Sequence, residues 1–295
     1  MIHITGESRD CSCDFLLLDG ARPARYDSPK QQYSRVAQRG VGVHHERRRS
    51  IILWGPPGSG KSLYLTSLVM WLTREPNERP FAVLPADDAS AQWVASRSIA
   101  HAEGVALVSG AVRPAAPLFR IYSIANAPVG DVRSAVVADL TPSEAAAGEP
   151  SPSQLADAAG VMLLLPVATM AASAETRDSC VSWFTTTLAR LPEQIGSPPP
   201  AVSMPVAVCL TQTDEAPDAA RRDATQWLEG FGSETLRALR AHCAQFAVFK
   251  VSSTGRSPRR RGSVDVIVGA PEPRGVLAPI RWILGANAND AGAAA

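Results

Sequence analysis

The 295-residue chain lacks an excess of either charge: 29 lysines and arginines stand against 28 aspartates and glutamates, a formal net charge of +1 at pH 7. That balance excludes a general attraction to nucleic acid or anionic lipid, so any partner must be recognised locally. A long apolar run is missing too. The longest, GVMLLLPVATMAA from Gly160 to Ala172, falls short of the roughly 20 residues needed to cross a bilayer and contains Pro166. It reads as a buried strand, and no membrane span is expected.

A paired cysteine framework is also lacking. The five cysteines, Cys11, Cys13, Cys180, Cys209 and Cys243, are odd in number and scattered. The first residues show no charged start leading into an apolar core and a small-residue cleavage site. A reducing cytoplasm is the expected compartment. Cys11, Cys13, His44 and His45 do not have the spacing of a familiar zinc module. No histidine falls where it would complete a hydrolytic triad with Ser59 or Ser252 and Asp214.

What is present is a core-forming composition, 45% apolar, enough for one domain of about 240 residues. Residues 1–47 have no period and many turn formers, and are expected to be a weakly ordered extension. The small-residue tail 287–295 is expected to fray. Between them, strand-like runs IILW (51–54), LFRIYSI (118–124), SAVVADL (134–140), GVMLLLPV (160–167), PVAVCLT (205–211) and FAVFKVSS (246–253) alternate with amphipathic stretches. In two of these, Leu65, Leu68, Val69 and Leu72, and Val181, Phe184, Leu188 and Leu191, recur on one helical face. A third, 222–244, carries Gly230 and Gly232 as potential breaks. Alternation of this kind predicts an α/β fold, a mainly parallel sheet with helices on both faces.

The stretch IILWGPPGSGKSLYL carries the clearest chemistry. Gly55, Gly60, Lys61 and Ser62 fit G-x-x-x-x-G-K-[ST], with a strand before and a helix after. Glycines let successive N–H groups curl round a polyphosphate, and the helix adds its positive end. Gly55, Pro56, Gly58, Ser59, Gly60, Lys61, Ser62 and Leu63 are therefore the expected phosphate-binding residues. Lys61 would bridge the β- and γ-phosphates, and the Ser62 hydroxyl would bind Mg²⁺. A second acid is needed to hold the metal through water, and Asp139, at the end of SAVVAD, is the candidate. A turn cap before Pro142 is the structural alternative.

The nucleotide base is read from PVAVCLTQTDE, where a strand ends in Thr211, Gln212, Thr213 and Asp214, close to [NT]-[KQ]-x-D. A carboxylate there accepts from both the ring N–H and the exocyclic amine of guanine, whereas adenine presents an acceptor. The mismatch is worth a preference of about 10²-fold or more. Gln212, where lysine is usual, would lay its stem along the base or ribose. Some forty residues on, FAVFKVSSTG ends in Ser252, Ser253 and Thr254, placed to meet the guanine carbonyl.

In this order, P-loop, Asp139, apolar strand, TQTD and VSSTG, the chain resembles the TRAFAC class of P-loop GTPases over roughly residues 50–285. A GPPGSGKS loop, a long insert before Asp139 and a closing segment of Val276, Leu277, Pro279, Ile280, Trp282, Ile283 and Leu284 are similar to the double-GTPase group of bacterial conflict and signalling gene clusters. The resemblance implies a three-layer P-loop fold over 48–286, GTP or GDP with Mg²⁺, and a switch whose output passes to a protein effector or activator.

The pattern is also incomplete. From Lys61 to Asp139 is 78 residues, about twice the gap in a small Ras-like GTPase, and no threonine occurs from 77 to 140, with Ser109 a poor substitute. After Asp139 the sequence runs Leu140, Thr141, Pro142, Ser143, Glu144, without the glycine of D-x-x-G or a water-orienting glutamine. Lys61, Asp139 and Glu144 are the catalytic candidates, Glu144 as a base or only a solvated charge. Slow intrinsic hydrolysis is expected. An ATP-using P-loop enzyme and a non-hydrolysing nucleotide-bound scaffold are the alternatives. Two basic runs, HHERRRS and RSPRRRG, read as solvated loop charge, and nucleic-acid binding is not expected.

Overall fold

The computed structural model describes residues 50–74, 81–102, 118–124, 134–142, 150–195, 202–216, 218, 221–257, 259–261, 264–267 and 271–293. The chain divides into two units, Met1–Glu46 and Arg47–Ala295, and the described residues belong to the second. The expectations for residues 1–47, for Ser109 and for Glu144 lie outside the described residues.

The apolar runs become the strands, and those at 51–54, 159–166 and 206–211 are buried on both faces. In chain order β1 (Ser50–Trp54), β2 (Phe81–Pro85), β3 (Phe119–Ile124), β4 (Ser134–Pro142), β5 (Ala158–Pro166), β6 (Val206–Thr211) and β7 (Phe246–Lys250) form one sheet, ordered β2-β3-β4-β1-β5-β6-β7. The pairs β4–β1, β1–β5, β5–β6 and β6–β7 are parallel, and β3 runs against both its neighbours. The helices are α1 (Lys61–Arg74), α2 (Asp88–Ala102), α3 (Pro152–Ala156), α4 (Val167–Ala172), α5 (Ala174–Gln194), α6 (Ala224–Gly230), α7 (Ser233–His242) and α8 (Ala278–Ala293). A hairpin, β8 (Arg259–Arg261) with β9 (Val264–Val266), stands apart from the sheet in its pairing.

Alternation along β1 sorts the two layers. Ile51 and Leu53 pack with Tyr64, Leu65 and Leu68 of α1, Trp93 of α2, and Ile280 and Ile283 of α8. Ile52 and Trp54 face Phe184 and Leu188 of α5, Trp227 of α6 and Leu239 of α7. Each large apolar side chain so enclosed contributes about 1.5–3 kcal/mol by its removal from water. The architecture is a three-layer α/β sandwich, as the alternation of runs predicts. Gly160 brings α8 down onto the sheet: an added Cβ would sit 2.6 Å from Ile283 Cγ2 and 2.9 Å from the Pro205 carbonyl oxygen.

Two features differ from expectation. Residues 81–102, read only as part of an insert, supply an edge strand and a helix. The tail expected to fray from 287 continues α8 as helical backbone to Ala293, in keeping with the high helix propensity of its alanines. The predicted break near Gly230 and Gly232 separates α6 from α7, where Gly232 takes φ +155° ahead of Ser233.

Candidate functional site

The loop from Gly55 to Gly60 joins β1 to α1. Gly58 and Gly60 hold φ of +77° and +86°, which side chains with a Cβ rarely adopt. Gly55 answers to space instead, for its Cβ would lie 2.5 Å from Ser59 Oγ and 2.7 Å from the Leu164 carbonyl oxygen. The Ser59 amide closes the turn on the Pro56 carbonyl at 3.1 Å, and the Tyr64 amide bonds the Gly60 carbonyl at 2.8 Å to start the helix. Lys61 folds back over this loop. Its Nζ donates to the carbonyls of Gly55 (2.6 Å) and Pro56 (3.0 Å) and lies 3.3 Å from Ser59 Oγ. Ser62 and half-exposed Leu63 follow in the first turn, with Ser62 open to solvent.

The end of β6 meets this loop from across the sheet. Thr211 Oγ1 lies 2.8 Å from the Ser59 carbonyl oxygen and 3.1 Å from that of Leu165, two acceptors for one hydroxyl proton. Gln212, with φ +59°, donates from Nε2 to the Gly58 carbonyl at 3.1 Å. Thr213 donates to the Val251 carbonyl at 3.3 Å. Asp214 then turns to the loop after β7. Its Oδ1 accepts from Ser252 Oγ at 2.6 Å and its Oδ2 from Thr254 Oγ1 at 2.9 Å, while its main-chain carbonyl accepts from the Ser257 hydroxyl. Ser252, Ser253 and Thr254 are all buried.

These contacts join three segments far apart in sequence. Ser67 of α1 adds a further tie, donating to the Ser253 carbonyl at 2.6 Å, and Tyr64 of the same helix donates to the Val276 carbonyl at 2.6 Å. Burial raises the Tyr64 hydroxyl well above the usual tyrosine range, so it stays a donor. Beyond Thr254 the chain is closed on itself by Ser252 and Arg274, which exchange amide-to-carbonyl bonds of 3.0 and 2.8 Å. Glu272, beside them, pairs with Arg256, which holds its carboxyl below the ordinary range. Of these ties, those of Thr211 and Gln212 to the 55–60 loop, of Asp214 to Ser252 and Thr254, and of Ser67, Tyr64 and Ser257 were not read from the sequence. The polar TQTD and SSTG runs were the available signal, though neither names its partner.

Asp139 is not brought to this site. The β1–β4 register sets Asp139 opposite Ser50 and Pro142 opposite Leu53. Its backbone therefore stands at the start of β1, four residues or about 13 Å of strand from Trp54, after which the loop begins. A metal-holding role beside Ser62 needs the acid at the other end, so this expectation is corrected. Level with the loop is Pro142 in place of the D-x-x-G glycine, and proline has no N–H to offer a phosphate. Among the described residues, no three His, Cys, Asp or Glu side chains gather as a metal site. Burial pushes the Cys209 thiol above its ordinary range and Cys243 up to about 12, which keeps both uncharged and unreactive.

No family model and no curated protein matches the chain. Among solved structures it is similar to the signal recognition particle receptor SRb of Chaetomium thermophilum in its GTP/SRX complex, with 17% identity over 72% of this chain and 93% of that one, TM-score 0.43. It is similar to nucleolar GTP-binding protein 1 of Plasmodium falciparum, with 8% identity over 84% and 90%, TM-score 0.42. The GDP complex of an ADP-ribosylation-factor-like GTPase, the small COPII coat GTPase SAR1 of Encephalitozoon cuniculi, gives 15% identity over 84% and 83%, TM-score 0.39.

Proposed function

We propose that the unit Arg47–Ala295 binds guanine nucleotides, GTP and GDP, at a site made by the 55–62 loop, Thr211–Asp214 and Ser252–Thr254. One observation carries this reading: Asp214 is fixed at both carboxylate oxygens, and Thr211 and Gln212, just before it in the chain, hold the 55–60 loop itself. A carboxylate held so accepts two donors on one edge of a base, which guanine has and adenine lacks. The loop amides and the N-terminal end of α1 take the phosphates. Lys61, whose ammonium rests on the Gly55 and Pro56 carbonyls, would bridge the β- and γ-phosphates of a bound nucleotide.

The exposed Ser62 hydroxyl, in the first turn of α1, fits as a ligand for Mg²⁺, which would neutralise phosphate charge there. Asp139 in its register does not fit as the second holder, so no step is routed through it. Pro142, where the D-x-x-G glycine would stand, gives no N–H for a γ-phosphate. The domain is therefore a slow GTPase switch that waits on a protein partner. The same observation favours a second reading, a nucleotide-bound scaffold that does not hydrolyse. Membership in the TRAFAC class and the bacterial double-GTPase group, and a cytoplasmic signalling or conflict role, rest on motif order and the closing Val276–Leu284 segment.

A thermal-shift panel of GTP, GDP, ATP and no nucleotide, each with and without Mg²⁺, tests the reading. A ligand at a hundred times its Kd stabilises by about 2.7 kcal/mol. Shifts with GTP and GDP but not ATP are expected. Equal shifts with ATP, unchanged in Asp214→Asn, overturn it.

A further inference from the structure

The basic run at 256–262 has no part in the site described above, and one hydroxyl stands inside it. Ser257 is exposed, follows Arg256 and precedes Pro258, Arg259, Arg260 and Arg261 in the chain. Its Oγ donates to the main-chain carbonyl of Asp214. A serine hydroxyl has a single proton, so this is the one bond it can donate. The other basic run, HHERRRS, also ends on a serine. Ser50, however, opens β1 in register with β4 on one side and β5 on the other, and its amide is bonded to the Asp157 carbonyl. Its main chain is already taken and cannot be laid into another protein's cleft.

The segment that carries Ser257 is tied to Asp214 at two more points. The Gly255 amide bonds Ser252 Oγ at 2.7 Å, and Ser252 Oγ lies 2.6 Å from Asp214 Oδ1. The Arg256 carbonyl oxygen lies 2.9 Å from Thr254 Oγ1, which is also 2.9 Å from Asp214 Oδ2. A pull on residue 257 is thus passed to both carboxylate oxygens. Arg256 itself rests on the exposed carboxylate of Glu272, a surface pair that exchanges readily for a phosphate able to accept two parallel N–H bonds. Arg259 is exposed as well.

We propose that Ser257 is a phosphorylation site for a serine kinase with an acidic substrate cleft, and that the phosphate releases the guanine nucleotide. The release rests on the guanine-binding reading and deepens it by naming its regulation. In the transfer the Ser257 oxygen attacks the γ-phosphorus of ATP, the bond from that phosphorus to the departing ADP oxygen breaks, and the hydroxyl proton passes to the kinase's base. The four arginines within four residues of Ser257 match an acidic cleft by charge. The ester oxygen has no proton left for the Asp214 carbonyl, and a charge of about −1.5 to −2 now stands beside a residue that is itself an acid. The phosphate turns to Arg256 and Arg259 and draws residues 255–257 off Asp214.

The full chain is incubated with ATP and a serine kinase first shown to modify the free peptide 255–262, and the sites are located by mass spectrometry. Phosphate on Ser257 and none on Ser50 is expected. A modified peptide with Ser257 untouched in the folded chain overturns the proposal. Calorimetry with GDP, ADP and inorganic pyrophosphate then compares wild type, Ser257→Ala and the chain carrying phosphoserine at position 257. The phosphate is expected to weaken GDP about tenfold or more while pyrophosphate stays within about twofold. Ser257→Ala, which loses the same proton and adds no charge, is expected to hold GDP within about threefold. A phosphorylated chain that binds GDP as wild type does, or that loses pyrophosphate equally, overturns this inference alone. A wild type without preference for GDP over ADP overturns the guanine-binding reading and the release with it.

Discussion

The Gln212 side-chain nitrogen lies 3.1 Å from the Gly58 carbonyl oxygen, across a sequence separation of 154 residues. One amide thus fastens the segment Thr211–Asp214 to the loop Gly55–Gly60. The side-chain oxygen of Gln212 is buried without a partner among the described residues, and the nitrogen faces the loop because a carbonyl accepts only from a donor. Removing that donor loosens the loop without touching the base-reading acid. Gln212→Ala should therefore weaken GTP and ATP by a similar factor, about three- to tenfold, with their ratio unchanged in calorimetry. Gln212→Lys, which keeps a donor for Gly58, should lose less. A shift in the ratio would make Gln212 a base-reading residue instead.

Asp214 carries the opposite expectation. Asp214→Asn replaces one acceptor by a donor, and that donor faces guanine's own N–H groups. GDP affinity should fall about 10²-fold, xanthosine diphosphate should gain, and inorganic pyrophosphate should bind as before. If pyrophosphate weakens equally, the substitution has disturbed the loop through Ser252 or Thr254, and selection is not what was lost.

The glycine turn from Gly55 to Ser62 between β1 and α1 was legible because its pattern is contiguous: glycines, lysine and serine stand within eight residues and need no tertiary information. The strand end before T-Q-T-D was legible from its apolar run, whereas the bonds of Asp214 to Ser252 and Thr254 were not read from the sequence, which offered 252–254 only as a contact for a base carbonyl. Asp139 was misread for a reason of register. Every residue from Ser134 to Pro142 suits a strand, and nothing local says how far β4 slides along β1, whereas one residue of slip moves a side chain by about 3.3 Å and to the other face. The edge strand Phe81–Pro85 escaped notice because it ends in proline and is followed by Ala86, Asp87 and Asp88, a turn-like run. Here Asp87 caps α2 by accepting from the Ser90 amide at 2.7 Å.

The buried thiols set an alkaline limit on stability. Cys243 is 4% exposed, and burial raises its pKa from 9.0 to about 12. A raised folded-state value means that its contribution is fully present below the unfolded pKa and is lost as pH rises between the two. Over about pH 9 to 12 the unfolding free energy should fall by up to about 1.4 kcal/mol per pH unit from this group. Cys209, raised in the same direction, adds to the slope. Urea midpoints measured from pH 7 to 11 should be flat at first and then decline, and Cys243→Ala should decline less steeply. An unchanged slope in that variant would mean that Cys243 does not ionise on unfolding in this window.

Tyr64 offers a test of how α1 is anchored. Its ring is fully buried in the layer of α1 and α8, and its hydroxyl donates to the Val276 carbonyl at 2.6 Å. Val276 lies two residues before α8 and packs in the same layer, so this bond ties the helix that begins at Lys61 to the closing segment of the fold. Tyr64→Phe keeps the ring and removes one donor, leaving the Val276 carbonyl short of its partner. Such a loss costs about 1–3 kcal/mol, against a smaller gain from not burying a hydroxyl. The denaturation midpoint should fall with the m-value unchanged. GTP affinity should drop by less than about threefold, because Lys61 keeps its bonds to the Gly55 and Pro56 carbonyls and the Ser59 amide its bond to Pro56. A large loss of GTP affinity at unchanged stability would place Tyr64 in the binding machinery rather than in the anchor of α1.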